Sequence, residues 1–137
     1  MNAASIVASS EDFAKAQTLY QSVADDKGAP KDLRDLSTIL SVRARLLVKS
    51  KEAPDYKAMA QSLSAIANST RSPFAKLAKL EAALLYGDGL KDYTAALNAL
   101  QGLDGQGLSE SIKEKASALK RVYEYEQSHA MLEKKTQ

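Results

Sequence analysis

The chain has 137 residues, enough for one domain of ordinary size whose core needs no covalent staples. It holds no cysteine and one histidine, which excludes disulfides, thiolate metal sites, thiol catalysis and any multi-histidine metal centre. Nineteen basic residues against seventeen acidic ones leave a net charge of +2, well short of the dense basic patch that holds nucleic acid.

Proline occurs only at 30, 54 and 73, and glycine at 28, 87, 89, 102, 105 and 107, between long stretches rich in Ala, Leu, Lys and Ser. Alanine and leucine favour helix, and no segment alternates apolar and polar residues long enough to argue a strand. Six helices are predicted. The first covers about 10–25, capped by Ser10 and carrying Phe13, Ala16, Leu19, Tyr20 and Val23 at helical spacing. The second covers about 31–50 behind Pro30, with Leu33, Leu36, Leu40, Ala44 and Leu47 as its apolar stripe. Pro54 and Asp55 open the third at about 55–68. Ser72-Pro73 opens the fourth at about 73–86, and Gly87-Asp88-Gly89 is expected to end it. The fifth runs over about 91–102. The sixth, capped by Ser109, runs over about 109–132 with Ile112, Ala116, Leu119 and Tyr123 on one face. The longest apolar runs, such as Ala82–Tyr86, fall far short of the ~20 residues of a membrane span, and residues 1–10 lack the pattern of a signal peptide.

Three of these helices carry one word. Phe13-x2-Ala16-x3-Tyr20-x2-Val23 is followed by Tyr56-x2-Met59-x3-Leu63-x2-Ile66 and Tyr93-x2-Ala96-x3-Leu100-x2-Leu103. The starting aromatics lie 43 and then 37 residues apart, and Pro30 and Pro73 each follow theirs by 17. Spacings of three, four and three keep the four positions on one helix face, where a small residue admits a neighbouring helix between larger ones. The unit is helix, turn, helix, turn, with a period near that of tetratricopeptide repeats but looser. The expected fold is therefore all-α: a tetratricopeptide-like, right-handed stack of helical hairpins, about six helices in one domain spanning 1–137. Met59 in the small position predicts wider packing in the middle copy. Only nine residues precede the first predicted helix, so either residues 1–8 are the stub of a preceding helix or the chain is cut from a longer protein; the cut is the expectation, because Ile6 and Val7 read as the last turn of an amphipathic segment.

The stretch Ala29-Pro30-x2-Leu33-Arg34-Asp35-Leu36-Ser37, its continuation through Arg43, Ala44, Leu46 and Leu47, the Ser72-Pro73 helix start and the final word Tyr93–Leu103 resemble a known family. They are similar to the tetratricopeptide-repeat-like domain of the bacterial ancillary Sec-translocon subunit family, in its alphaproteobacterial form, over roughly residues 10–125. Phe74 stands where that form usually has Trp. The resemblance implies a membrane anchor preceding this chain, a location on the periplasmic side of the bacterial inner membrane, and a link to protein export or client handling. It brings no catalytic residues.

The remaining constellations are weak. His129, flanked by Glu126 and Glu133, reads as a solvent-exposed histidine without a nucleophile to serve. Gly87-Asp88-Gly89 and Asp104-Gly105-Gln106-Gly107 lack the lysine of a phosphate loop and the ligand ladder of a calcium loop. Asn68-Ser69-Thr70 matches the glycosylation sequon, which a bacterial origin would make incidental. Tyr123 is expected in the core, Tyr125 on the rim, and Lys134-Lys135 at a frayed end. No catalytic, metal or cofactor site is expected. One surface suits binding: Arg34, Thr38, Ser41 and Arg45 on the polar face of the second helix, with Lys76 and Lys79 on the fourth, form a mildly basic groove for acidic or C-terminal carboxylate peptide ends. Arg34 could instead pair with a neighbouring acid and fix the angle between repeats. The expected function is a non-catalytic module that binds export machinery or secreted clients. The alternative is a homo-oligomerising scaffold, joined through the N-terminal surface or the long sixth helix.

Overall fold

The computed structural model describes residues 3–69, 71–103, 105 and 108–136, with side chains described from Glu11 to Glu133 within those ranges. Among the described residues there are six α-helices and no strand: α1 Ala3–Asp25, α2 Lys31–Leu47, α3 Tyr56–Ala67, α4 Ala75–Leu84, α5 Tyr93–Ala99 and α6 Glu110–Thr136. A π-helical turn, Leu85–Gly89, continues α4. None of these helices is long and apolar enough to cross a membrane. The chain divides into two compact units, one of residues up to Asp55 together with Arg71–Phe74, the other of Tyr56–Thr70 and the chain from Ala75 onward.

The first unit is a helical hairpin. α1 begins well before Ser10, which lies inside the helix rather than capping it, because the alanine-rich run Ala3–Ala8 is itself a good helix former. Ile6 and Val7 thus belong to the first turns of α1 and not to the end of a separate helix. The turn back to α2 is closed by Asp26, whose carboxylate accepts from the Gly28 amide at 2.9 Å. α2 buries Asp35, Ser37, Ile39, Ser41, Val42 and Ala44, whereas Leu33 and Leu47 of the expected stripe stand open to solvent. Polar groups on the inner face explain the misreading: Asp35 is held by Lys31 at 3.0 Å and Ser41 is hydrogen-bonded across the hairpin, so neither needs water. α2 also ends early. Val48 turns extended, and its amide donates to the Arg45 carbonyl.

The second unit packs α3 on α4, α4 on α5, and α6 on α4 and α5. Its core joins Leu80, Ala83, Ala96, Leu100, Leu103, Ala116 and Tyr123. Leu100 and Leu103 of the third word lie beyond the end of α5 but are buried as the word requires. In the middle copy Met59 is half-buried, and the fully buried small residue is Ala60, one place after it. Ser72 does not open a helix at Pro73; its hydroxyl accepts from the Phe74 amide in a turn, and α4 starts two residues later. Asp92 caps α5 by accepting from the Ala95 amide, and Ser109 caps α6 by accepting from the Ile112 amide.

Gly87-Asp88-Gly89 does not end α4 as expected. The Leu90 amide reaches back to the Leu85 carbonyl at 3.0 Å, which widens the helix into a π turn. A Cβ at Gly87 would lie 2.2 Å from Cζ of Tyr123, and one at Gly89 would lie 2.6 Å from Cδ1 of Tyr56. The two glycines are therefore sockets for aromatic rings from α6 and α3. Tyr123 is 1% exposed, and its hydroxyl donates to Asp88 Oδ1 at 3.1 Å.

Gly87→Ala should cost about 1–3 kcal/mol in urea unfolding through overpacking against Tyr123, and Tyr123→Phe about 1 kcal/mol through the lost hydrogen bond. Burial first, then the Asp88 carboxylate and the hydrogen bond to it, push the Tyr123 phenol up from its ordinary value of 10.0. Below that pH the folded and unfolded chains both keep the proton and its contribution to stability is complete. Above it the unfolded chain ionises first, so stability falls as pH rises. Unfolding free energies across about pH 8–11 should drop above about pH 10, and Tyr123→Phe should make that drop shallower.

Candidate functional site

Positions 34, 38, 41 and 45 on α2 recur at the spacing that keeps residues on one helix face. This face is less open than a solvated groove. Thr38 turns its hydroxyl onto the Arg34 carbonyl at 3.0 Å. Ser41 is buried and donates to Gln21 Oε1 at 3.0 Å, while the Gln21 amide nitrogen donates to Asp25 Oδ1 at 3.0 Å. A polar relay thus crosses the α1–α2 interface, and Ser41 belongs to it.

Arg34 and Arg45 are half-buried. The nearest acid in sequence to Arg34, Asp35, pairs instead with Lys31. Arg45 donates through Nη2 to the Glu52 carbonyl at 3.2 Å. Arg34 Nε and Arg45 Nη1 are each shielded from solvent without a hydrogen-bond acceptor. The two guanidinium groups are eleven residues apart, close to three full turns, so they stand above one another along the helix. Such donors favour a carboxylate, which a guanidinium binds with charge-assisted, often bidentate hydrogen bonds.

The two lysines of the expected groove belong to the second unit. Lys76 is exposed on α4. Lys79 is half-buried, and its Nζ donates to the Gln101 carbonyl at 2.8 Å, tying α4 to the turn after α5. The six residues therefore divide into four on α2 in one unit and two on α4 in the other.

His129 lies exposed on α6, its ring stacked on Tyr125 at 6.0 Å between centroids and its Nε2 3.2 Å from Glu133 Oε1. Thr70 of the sequon, Asp104, Gln106 and Gly107 of the glycine-rich turn, and the side chains of Lys134 and Lys135 lie outside the described residues. Among those described, no three His, Asp or Glu side chains gather to hold a metal ion. Comparison with known proteins finds no match: no family model, no curated protein and no solved structure.

The relay through Gln21 should be measurable as a coupling. A double-mutant cycle of Ser41→Ala and Gln21→Ala, read by urea unfolding, should return an interaction energy of about 0.5–1.5 kcal/mol.

Proposed function

We propose that the chain is a non-catalytic protein–protein interaction module of an envelope protein, serving protein export or the handling of periplasmic clients. The observation that carries the binding role is the pair of shielded, acceptor-less guanidinium donors, Arg34 Nε and Arg45 Nη1, on one face of α2. A buried donor without a partner costs about 1–3 kcal/mol, which a carboxylate from an acidic partner would recover. The threefold helix word and the hairpin of α1 and α2 support a tetratricopeptide-like, right-handed stack as the finer architecture. The resemblance of Ala29–Ser37 to the ancillary Sec-translocon subunits supports the export context, the periplasmic location and a membrane-anchored full-length protein. Export machinery and secreted proteins are the partners this reading names; nucleic acid, cofactors and catalysis have no part in it.

A homo-oligomerising scaffold is the second reading. α6 favours it, because Val122, Tyr125 and Leu132 are 51%, 66% and 61% exposed along one side of that helix.

The test is a pull-down with the chain from a bacterial envelope extract, read by mass spectrometry, with Arg34→Glu/Arg45→Glu as the control. Export components or secreted proteins should be enriched and then lost in the double variant, which should retain its far-UV circular dichroism. Unchanged recovery with the variant removes the α2 face from the proposal. A stable dimer by light scattering, with no other protein recovered, moves the function to the scaffold.

A further inference from the structure

A second surface, wholly within the second unit, has the chemistry of a peptide-end receptor. A cleft of about 330 Å³ opens between the end of α5 and the first half of α6. Leu97, Leu100, Leu103 and Ala116 give it an apolar lining, and Lys113 and Lys120 bring two ammonium groups to it. Lys113, Ala116 and Lys120 are spaced three and four apart, so both lysines flank the alanine on the same face of α6. Among the described residues that line it, none is acidic. A third ammonium backs the turn that forms one wall: Lys79 Nζ holds the Gln101 carbonyl and would lie 3.5 Å from a Cβ on Gly102.

The present partners of the two lysines are weak. Lys113 meets Glu110 at 3.7 Å and Lys120 meets Glu124 at 3.9 Å, both within one helix at its surface. Exposed pairs of this kind contribute about 0–1 kcal/mol, so an incoming carboxylate competes with them on favourable terms. The volume lies at the small end of ligand pockets, with room for a side chain or two rather than a long acyl chain.

We propose that this cleft takes the C-terminus of an extended peptide whose last residue is apolar. Only a terminal residue carries an apolar side chain and a carboxylate on the same Cα, which is the pairing of features the cleft offers. The side chain enters among the leucines against Ala116, and the carboxylate meets Lys113 and Lys120. This deepens the protein-binding reading by naming a ligand chemistry. It uses none of the α2 residues, so the site and the α2 face can fail separately.

The experiment is a ¹H–¹⁵N NMR titration of the whole chain with the dipeptide N-acetyl-Ala-Leu as free acid, as its C-terminal amide, and with octanoate. The free acid should give saturable shifts confined to the amides of residues 97–103 and 113–120. The amide should bind about tenfold more weakly, as expected for the loss of a charge-assisted contact. Lys113→Gln/Lys120→Gln should erase the difference between acid and amide while the rest of the spectrum shows the fold intact. Absence of saturable shifts, equal binding of acid and amide, or an undiminished preference in the double variant would overturn the proposal. Tighter binding of octanoate than of the dipeptide acid would overturn the peptide assignment in favour of a small amphiphile.

Discussion

The Tyr123 ring fills the space where residue 87 would otherwise carry a side chain, and its hydroxyl bonds the carboxylate of the next residue. Much of the second unit depends on this fit. α6 is a long helix with a mostly polar surface, and Tyr123 is its largest fully buried side chain. Seating the ring requires the backbone after Leu84 to come close, which glycine permits. It also requires that backbone to bulge, which the π turn supplies. Tyr93 lies beside the same ring, 6.0 Å between centroids, so α5 is held by the aromatic that anchors α6. Tyr56 repeats the arrangement from α3 at Gly89. Two of the three aromatics that open the repeated words therefore gather around one short turn.

The number of helices and the cap at Ser109 were legible in the sequence because each rests on local chemistry: apolar spacing, a hydroxyl before a helix. What was not legible rests on distant residues. The role of Gly87 and Gly89 could not be read locally, because a glycine pair after a helix ordinarily ends it, and only the rings of Tyr123 and Tyr56 give it another use. The inner face of α2 was misread for a related reason. Ser37, Ser41 and Asp35 count as surface residues by type, yet Gln21 and Lys31 satisfy two of them from within the unit.

The expected binding face fared differently from residue to residue. Arg34 and Arg45 do share a side of α2, as helical spacing dictates. Ser41 on that same side is occupied in holding the hairpin together, and Lys79 ties α4 to the turn after α5. The residues of the α6 cleft left a readable trace, two lysines bracketing an alanine at positions three before and four after it. The trace becomes meaningful only once the turn at Leu100–Leu103 is known to face it. Charge marks a binding surface poorly in a chain of such balanced composition.

The socket at Gly87 also bears on how this chain can diverge. A ring packed into the space of a missing side chain couples two positions 36 residues apart more tightly than their chemistry suggests. A larger residue at 87 becomes tolerable only where 123 has already lost its ring, and a lost ring leaves a hole that glycine cannot fill. The two sites should therefore change in concert, with Asp88 free to drift once the hydroxyl is gone. Among distant relatives whose overall similarity has faded, a Gly-x-Gly followed at this interval by a helical tyrosine would be among the last traces of common descent.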